Sequence, residues 1–540
     1  MTAYNIILEN LEIIIHELGF NTPAKLSISK NQKFGDLSTN APLVIGKQIG
    51  KNPLDIAKLI SDKINISDNV IESINITKPG FINFTISNSY FYSMLKNNIN
   101  NKDFGKNEIG KNKTANVEFV SANPTGPLTI GHGRNGVIGD IVSNILEWNG
   151  YDVTREYYFN NAGRQMRVLG ESVKARYFEI IGKPIEFPEN GYMGDYIKDI
   201  AKEIKKSKGN NILPEDSIFK DLAESMMFTN IKKTLMDLNI KFDRFSNEKD
   251  YYDNGSIDKM IAELKNKDLI YNKDGAVWFK ATQLGKNQDK VYIKKSGEPT
   301  YRVPDTAYHR DKIERGYDLI VDIFGADHND AYPDVMVALD ALGHDTSHIK
   351  VLIYQFVTLI RDGKKIKMST RNADFVTMRE LVSQLSSDVI RYFFIMRGMN
   401  SHLNFDLSLA EDQSEKNPVF YLQYAHARIC NIIKRAHEIK IENLDDYNPK
   451  LLKNKTEIGL LKQIDRFPNL VISAIDSLEP QTIASYLNDM AASFHRFYNE
   501  SRVISDDIDI TKARIALIRL TKIVLNNGLR ILGISAPEKM

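Results

Sequence analysis

At 540 residues the chain is long enough for several domains, each with a core of its own, and its 42% hydrophobic and 26% charged content excludes a disorder-dominated protein. With 71 basic and 69 acidic groups the net charge is only +2, which excludes a globally basic nucleic-acid binder and leaves room only for a local basic patch. One cysteine, Cys430, excludes a disulfide framework or a cysteine-based zinc site, and there is neither a membrane-length apolar run nor a secretory leader pattern, so a cytoplasmic protein is expected.

Residues 1–105 read as a small α/β domain. Leu43, Val44, Ile45 and Ile49 share one helix, Asn52-Pro53 opens another carrying Ile56, Ala57, Leu59 and Ile60, and Pro79-Gly80 turns into a strand at Phe81–Phe84. The Asn-, Lys- and Gly-rich stretch around 97–113 reads as a linker, placed at 106–114.

The next stretch organises the chain. Val117, Phe119 and Val120 around Glu118 form a short buried strand, and Asn123-Pro124-Thr125-Gly126-Pro127 forces a loop. From Gly131 the apolar period becomes helical through Val137, Ile138, Ile141, Val142, Ile145 and Leu146, until Asn149-Gly150 stops it. Tyr151–Phe159 is a second strand. Strand, loop, helix and strand make one nucleotide-binding half of a parallel sheet.

Two readings of the loop compete. Gly131-His132-Gly133-Arg134-Asn135-Gly136 fits GxGxxG, with Glu156 where a dinucleotide fold places its ribose-binding acid, which points to an NAD-dependent dehydrogenase. Alternatively, Pro127-Leu128-Thr129-Ile130-Gly131-His132 resembles the HIGH signature of class I aminoacyl-tRNA synthetases. There Gly131 leaves room for the adenine, and His132 donates to the charge developing on the α-phosphate.

Residues of about 166–260 are lysine-rich and helical by pattern and read as an insertion. Ala276–Phe279 and Val291–Ile293 are strands. Tyr301 and Asp305 flank the start of a helix, and Leu319–Gly325 is a strand running into Ala326-Asp327-His328-Asn329. Val351–Phe356, another strand, leads into the cationic turn Lys364-Lys365-Ile366-Lys367-Met368-Ser369-Thr370-Arg371. The remainder, 411–540, reads as all helix. Tyr421, Tyr424, His426 and Arg428 mix aromatic and basic groups on one helix, and Arg519, Lys522, Asn526 and Arg530 align on one face of another. Both are candidate RNA surfaces with a solvated face as the alternative.

Taken together, these motifs closely resemble bacterial-type arginyl-tRNA synthetase over nearly the whole chain. Besides the motif Ala122-Asn123-Pro124-Thr125-Gly126-Pro127-Leu128-Thr129-Ile130-Gly131-His132, the segments Asn161-Ala162-Gly163-Arg164-Gln165, Gly325-Ala326-Asp327-His328, Asp388-Val389-Ile390-Arg391, Gln423–Arg428 and Leu532-Gly533-Ile534-Ser535-Ala536-Pro537 are family-like. The resemblance implies a multidomain α/β protein: a small N-terminal α/β domain touching the tRNA elbow, a Rossmann-like parallel-sheet catalytic domain at 115–410 with insertions, and a C-terminal all-α helical bundle at 411–540 that reads the anticodon. It implies activation of L-arginine with ATP and Mg²⁺, transfer to the 3′ end of tRNA(Arg), a requirement for bound tRNA even in adenylate formation, a monomer, and no tightly bound protein metal. By the same resemblance His132, Lys367 and Ser369 are catalytic. Thr129, Gly131, Gly133, Met368 and Arg371 join them around ATP, and Glu118, Asn123, Tyr301, Asp305 and His328 hold arginine, whose planar guanidinium suits paired carboxylates.

Two residues depart from the family pattern. Thr129 replaces the first histidine of HIGH, and Thr370 stands where the cationic loop should carry its second lysine. Lys367 is therefore expected to steady the leaving pyrophosphate with help from Arg371 or Lys113. A non-catalytic RNA-binding paralogue is the rival those two changes favour.

Overall fold

The computed structural model describes residues 2–29, 31–214, 216, 218–326, 330–366, 376–439, 441 and 445–540. Helix α1 (Ala3–Glu17) starts at Thr2, whose hydroxyl accepts from the Asn5 N–H, and buries a stripe of Ile7, Leu11, Ile14 and Ile15. With α2 (Ala41–Ile49) and α3 (Pro53–Ser61) it belongs to one core with an antiparallel sheet of β1 (Leu26–Ile28), β2 (Leu37–Thr39), β3 (Ile71–Thr77) and β4 (Phe81–Ile86) in the order β1-β2-β4-β3. Helix α4 (Asn88–Asn98) leads out of this domain. The stretch read as a linker is a packed strap: Phe104 is buried against Phe467, and the Asn527 amide donates to the carbonyls of Lys102 and Phe104.

The central domain is built on β5 (Thr114–Glu118), α5 (Ile130–Trp148) and β6 (Asp152–Phe159). Three helices follow, α6 (Gly163–Ile180), α7 (Asp195–Lys208) and α8 (Ile218–Asp237). They enclose a core of their own that includes Leu169, Val173, Tyr177, Ile197, Ile204 and Phe219. The stretch expected as insertion reaches further than these helices do, because β7 (Arg244–Asn247) pairs in parallel with β6 and brings the chain back to the sheet.

After it come α9 (Glu248–Asp253), α10 (Ser256–Asn266) and a small antiparallel sheet of β8 (Ile270–Lys273), β9 (Ala276–Phe279) and β10 (Lys290–Ile293). Then α11 (Arg302–Glu314), β11 (Leu319–Gly325), α12 (Tyr332–Leu342) and β12 (Ile349–Tyr354) complete a parallel sheet in the order β12-β11-β5-β6-β7. Strand β5 lies between the two halves, so the order reverses there. The crevice beyond the carboxyl ends of β5 and β11 is where such sheets take ligands.

A second layer holds β13 (Val357–Arg361), β14 (Lys364–Lys365), α13 (Met378–Gln384), α14 (Ser387–Ile395), β15 (Leu403–Asp406) and α15 (Leu407–Glu411). The C-terminal bundle is α16 (Pro418–Glu438), α17 (Lys455–Ser477), α18 (Pro480–Glu500) and α19 (Ile508–Ile531). Its family-like ending has a packing cause. Buried Arg391 pairs with Asp140 and donates to the carbonyls of Leu532 and Leu238, and a Cβ on Gly533, which has φ +64°, would lie 2.2 Å from that guanidinium. No described helix is long and apolar enough to cross a membrane.

Candidate active site

Strand β5 stops at Glu118 because the backbone turns left-handed at Val120 (φ 66°) and Ser121 (φ 39°). A β-branched residue rarely adopts that region, and each such residue costs on the order of 1–3 kcal/mol. The turn is held from outside. The Val120 N–H donates to Asn135 Oδ1 (2.7 Å), and Asn135 in turn donates to the Ile323 carbonyl on β11 (2.9 Å). Ser121 Oγ donates to Glu118 Oε1 (2.9 Å) and accepts from the Tyr158 N–H, while the Tyr157 hydroxyl donates to the Ala122 carbonyl (2.8 Å).

Thr129 caps α5 and forms a capping box with His132: the His132 N–H donates to Thr129 Oγ1, and the Thr129 N–H donates to His132 Nδ1 (3.2 Å). Accepting at Nδ1 places the imidazole proton on Nε2, the form that donates to an anion. Threonine in place of the first histidine thus has a structural job. Farther along the helix, buried Arg134 donates to the carbonyls of Gln355, Gly398, Ser401 and Phe394. It fastens the start of α5 to the second layer, and burial lowers its pKa to about 10.

The glycine pattern that suggested a dinucleotide fold is a packing pattern. A Cβ on Gly133 would lie 2.1 Å from Met378 Sδ, and one on Gly136 would press on Val120 and Ile240. Glu156, the expected ribose acid, is fully buried and occupied by Arg315 (2.8 Å), Asn116 (2.6 Å) and Ser246 (2.6 Å), so it has nothing left for a ribose.

Lys367, Met368, Ser369, Thr370 and Arg371 lie outside the described residues, as does His328. Their flanks are placed. Ile366 donates to the Leu359 carbonyl on β13; Thr377, past the other end of the cationic loop, is bridged to Thr129; and the Met378 N–H donates to the Leu128 carbonyl (2.8 Å). Thr377 and Met378 are therefore stitched to the HIGH-like motif. Lys113 is ruled out as a helper of the cationic loop. It is exposed before the amino end of β5, beside Asp318, and a strand of that length at about 3.3 Å per residue sets it roughly 17 Å from the crevice.

The acids differ from the expected pair. Glu118 (2% exposed) is ion-paired through Oε2 with Lys312 (2.6 Å), itself fully buried and also paired with Asp322, which is bonded to His309 Nε2 (3.1 Å). Glu118, His309 and Asp322 have the spacing of metal ligands, but the Lys312 ammonium already fills that role. Asp305, in the first turn of α11, and Glu248, at the start of α9, have no ion-pair partner among the described residues. Burial raises Asp305 to about 7, with repulsion from Glu118 adding to it and His309 opposing; burial and then Asp305 raise Glu248 to about 7. Glu248, hydrogen-bonded to Tyr158 (3.4 Å), went unread in the sequence because it falls inside the stretch expected as insertion. Tyr301 stands at the head of α11, 51% exposed, and Asn123 is exposed with its amide donating to Gln165 Oε1 (2.8 Å).

In the helical bundle, Arg428 lies between Tyr424 (4.8 Å) and Tyr498 (4.6 Å), and His495 packs on Tyr421 and Tyr424, an aromatic-basic cluster suited to stacking bases. His426 does not join it; its ring donates to the Pro537 carbonyl. The face expected on α19 lies at the surface, with Asn526 and Arg530 exposed, and its cations have partners there: Arg519 pairs with Asp445, Lys522 with Glu538, and Arg530 covers Trp148.

A five-stranded parallel sheet that reverses at β5, with a histidine-bearing helix start at its carboxyl edge, Thr377 bridged to that start and a helical bundle behind, defines a class I aminoacyl-tRNA synthetase. The family models agree: "tRNA synthetases class I (R), catalytic domain" matches residues 94–387, "Arginyl tRNA synthetase N terminal domain" residues 5–86, and "DALR anticodon binding domain" residues 422–540. The arginine–tRNA ligase of Salinibacter ruber is 45% identical over 537 residues, 96% of each chain, and that of Chlorobium limicola 47% identical over 529 residues, again 96% of each. The arginyl-tRNA synthetase structure of Thermus thermophilus shares the fold with a TM-score of 0.78 over 99% of this chain and 100% of that one, at 19% identity. The chain belongs to the arginyl-tRNA synthetase family, and it is a ligase that charges tRNA with arginine.

Proposed function

We propose that arginine enters the crevice with its guanidinium between Asp305 and Glu248, Tyr301 beside it and Glu118 behind, and its α-amino end at Asn123. The observation that carries this reading is the pair of half-neutralised acids, Asp305 and Glu248, that have no ion-pair partner among the described residues, beside Glu118, which is already paired with Lys312. The arginine carboxylate oxygen attacks the α-phosphorus of ATP in line, the bond to pyrophosphate breaks, and the 3′ hydroxyl of tRNA(Arg) then takes the arginyl group from the adenylate, releasing AMP. His132 donates from Nε2 to the α-phosphate while Gly131 and Gly133 keep its helix start close. Lys367, with Met368, Ser369 and Arg371, steadies the pyrophosphate, and His328 closes the arginine side. Mg²⁺, when it arrives with ATP, would supply neutralisation of the triphosphate charge, and no residue of this chain is assigned as its ligand. The N-terminal domain, residues 1–105, touches the tRNA elbow, the aromatic-basic cluster on α16 and α18 takes the anticodon, and the chain acts as a cytoplasmic monomer.

Aminoacylation of purified tRNA with each of the twenty amino acids tests this directly; charging with any amino acid other than arginine overturns it. His132→Ala is expected to lower kcat for arginine-dependent pyrophosphate exchange by about 10²–10³-fold, the worth of one donor aimed at developing charge, with the arginine KM unchanged. An unaltered kcat would remove His132 from the reaction.

A pH dependence also follows. The guanidinium selects ionised Asp305 and Glu248, so the arginine KM falls as pH rises through about 7, whereas the ATP KM stays flat. Carboxyls raised in the fold stabilise the ligand-free protein below their unfolded pKa, and that contribution is lost as pH rises through about 7. The thermal shift produced by arginine therefore grows with pH, and a shift that shrinks refutes the assignment.

A further inference from the structure

The loop from β5 to α5 has its strain at Val120 and Ser121, and its next residues are gripped one by one. Val120 is held by Asn135, Ser121 by Glu118 and Tyr158, and Ala122 by Tyr157, all groups of the sheet or of α5. The grip on the remaining residues comes from elsewhere. Asn123 donates to Gln165 on α6 (2.8 Å), and the Thr125 carbonyl accepts from the Tyr196 hydroxyl on α7 (2.8 Å). Both helices belong to the inserted unit with its separate core.

Local sequence is shaped to let these contacts form. A Cβ on Gly126 would sit 3.2 Å from Tyr196 Oη, so glycine leaves the phenol its approach, and Gly194, whose Cβ would collide with the Tyr196 ring at 2.3 Å, lets that ring lie back over the helix start. The Gln165 contact also has a direction. Because Gln165 Oε1 accepts from Asn123 Nδ2, the Asn123 amide is turned so that its Oδ1 remains available, and an acceptor there suits the α-ammonium of an amino acid.

We infer that Tyr196 and Gln165 are positioning residues through which the inserted helical unit sets the arginine-binding loop. Neither touches the reacting atoms. They act through Thr125 and Asn123, so the inference rests on the role proposed above for Asn123. The inserted unit is then part of substrate selection: any shift of α6 and α7 as a body reaches the loop at two bonded points.

The test is arginine-dependent pyrophosphate exchange in the presence of tRNA, with Tyr196→Phe, Gln165→Met and Gln165→Glu. Tyr196→Phe keeps the ring against Gly126 and removes only the donor; Gln165→Met keeps length and removes the acceptor; Gln165→Glu keeps an acceptor. Loss of one such hydrogen bond corresponds to about a two- to tenfold change. The arginine KM is expected to rise by that factor in Tyr196→Phe and Gln165→Met, roughly by the product in the double variant, and to stay near the starting value in Gln165→Glu. The ATP KM and the melting temperature should not move. An unchanged arginine KM in the first two variants overturns the inference, as does an equal rise in the arginine and ATP KM, which would mark general loosening. Exchange by the unsubstituted chain tests the site reading itself, whereas the ratio of each variant to that chain tests only the positioning, so the two failures are distinguishable.

Discussion

Asp305→Ala is expected to raise the arginine KM by about 10²- to 10³-fold, equivalent to about 3–4 kcal/mol, with the ATP KM unchanged. The size follows from how the pocket's charges are already committed. Glu118 has given one oxygen to Lys312 and the other to Ser121, so compensation for a buried guanidinium falls on Asp305 and Glu248. Removing one leaves a planar cation with half its carboxylate partners. ATP should not respond, because His132 is set by the Thr129 capping box on a different helix. The same variant carries an internal check: burial holds Glu248 up first and Asp305 second, so its pKa should drop part of the way and the pH dependence of the arginine KM should weaken and move to lower pH. Pyrophosphate exchange across a range of arginine concentrations and pH reads both effects, and an arginine KM equal to that of the starting protein would end the assignment of Asp305.

The parallel half-fold is legible in the sequence because its signals are local. An apolar strand, a proline-glycine loop, a helical apolar period and Asn149-Gly150 succeed one another, and β5, α5 and β6 follow that order. What escaped reading depends on distant partners. Strand β5 ends two residues before Val120 because that valine is held left-handed by Asn135 and by the bonds around it, a conformation no valine announces. Strand β7 carries one apolar residue in Arg-Phe-Ser-Asn and exists by pairing with β6, so Glu248, the residue after it, was hidden in a stretch that looked like surface helix. Lys312, on α11 between Arg310 and the capping Arg315, has the look of a solvated face yet is fully buried, since the acids that draw it in are Glu118 and Asp322 on other elements. On α19 the helical period puts Arg519, Lys522 and Arg530 on one surface face correctly, but the period does not say which groups the cations meet there, and these are Asp445, Glu538 and the Trp148 ring.

Lys312→Met should destabilise the catalytic domain by about 3–5 kcal/mol at neutral pH, the usual consequence of removing one member of a buried ionic cluster. In the native protein, burial opposes the charge on Lys312, but Asp322 and then Glu118 outweigh it and hold the ammonium protonated far above neutrality; the same attraction holds Asp322 well below the usual carboxylate range against its own burial. Methionine fills the space of the stem over the Tyr308 ring, so the lost quantity is charge rather than volume. Among the described residues Glu118 and Asp322 are then left buried with Ser121 and His309 as their hydrogen-bond partners. A carboxylate depressed in the fold contributes stability above its unfolded pKa, about 3.9, that is lost as pH falls toward the depressed value. In the variant Asp322 loses the ammonium that held it down and titrates upward instead, so the gap between the two proteins should narrow as pH falls from about 7.5 to about 5.5. Both tryptophans of the chain, Trp148 at the end of α5 and Trp278 on β9, lie in the catalytic domain, and their fluorescence in urea follows its unfolding. Adding Asp322→Asn to Lys312→Met should restore part of the loss by removing one orphaned charge; coincident urea transitions for the native and Lys312→Met proteins would show that the cluster carries no net stability.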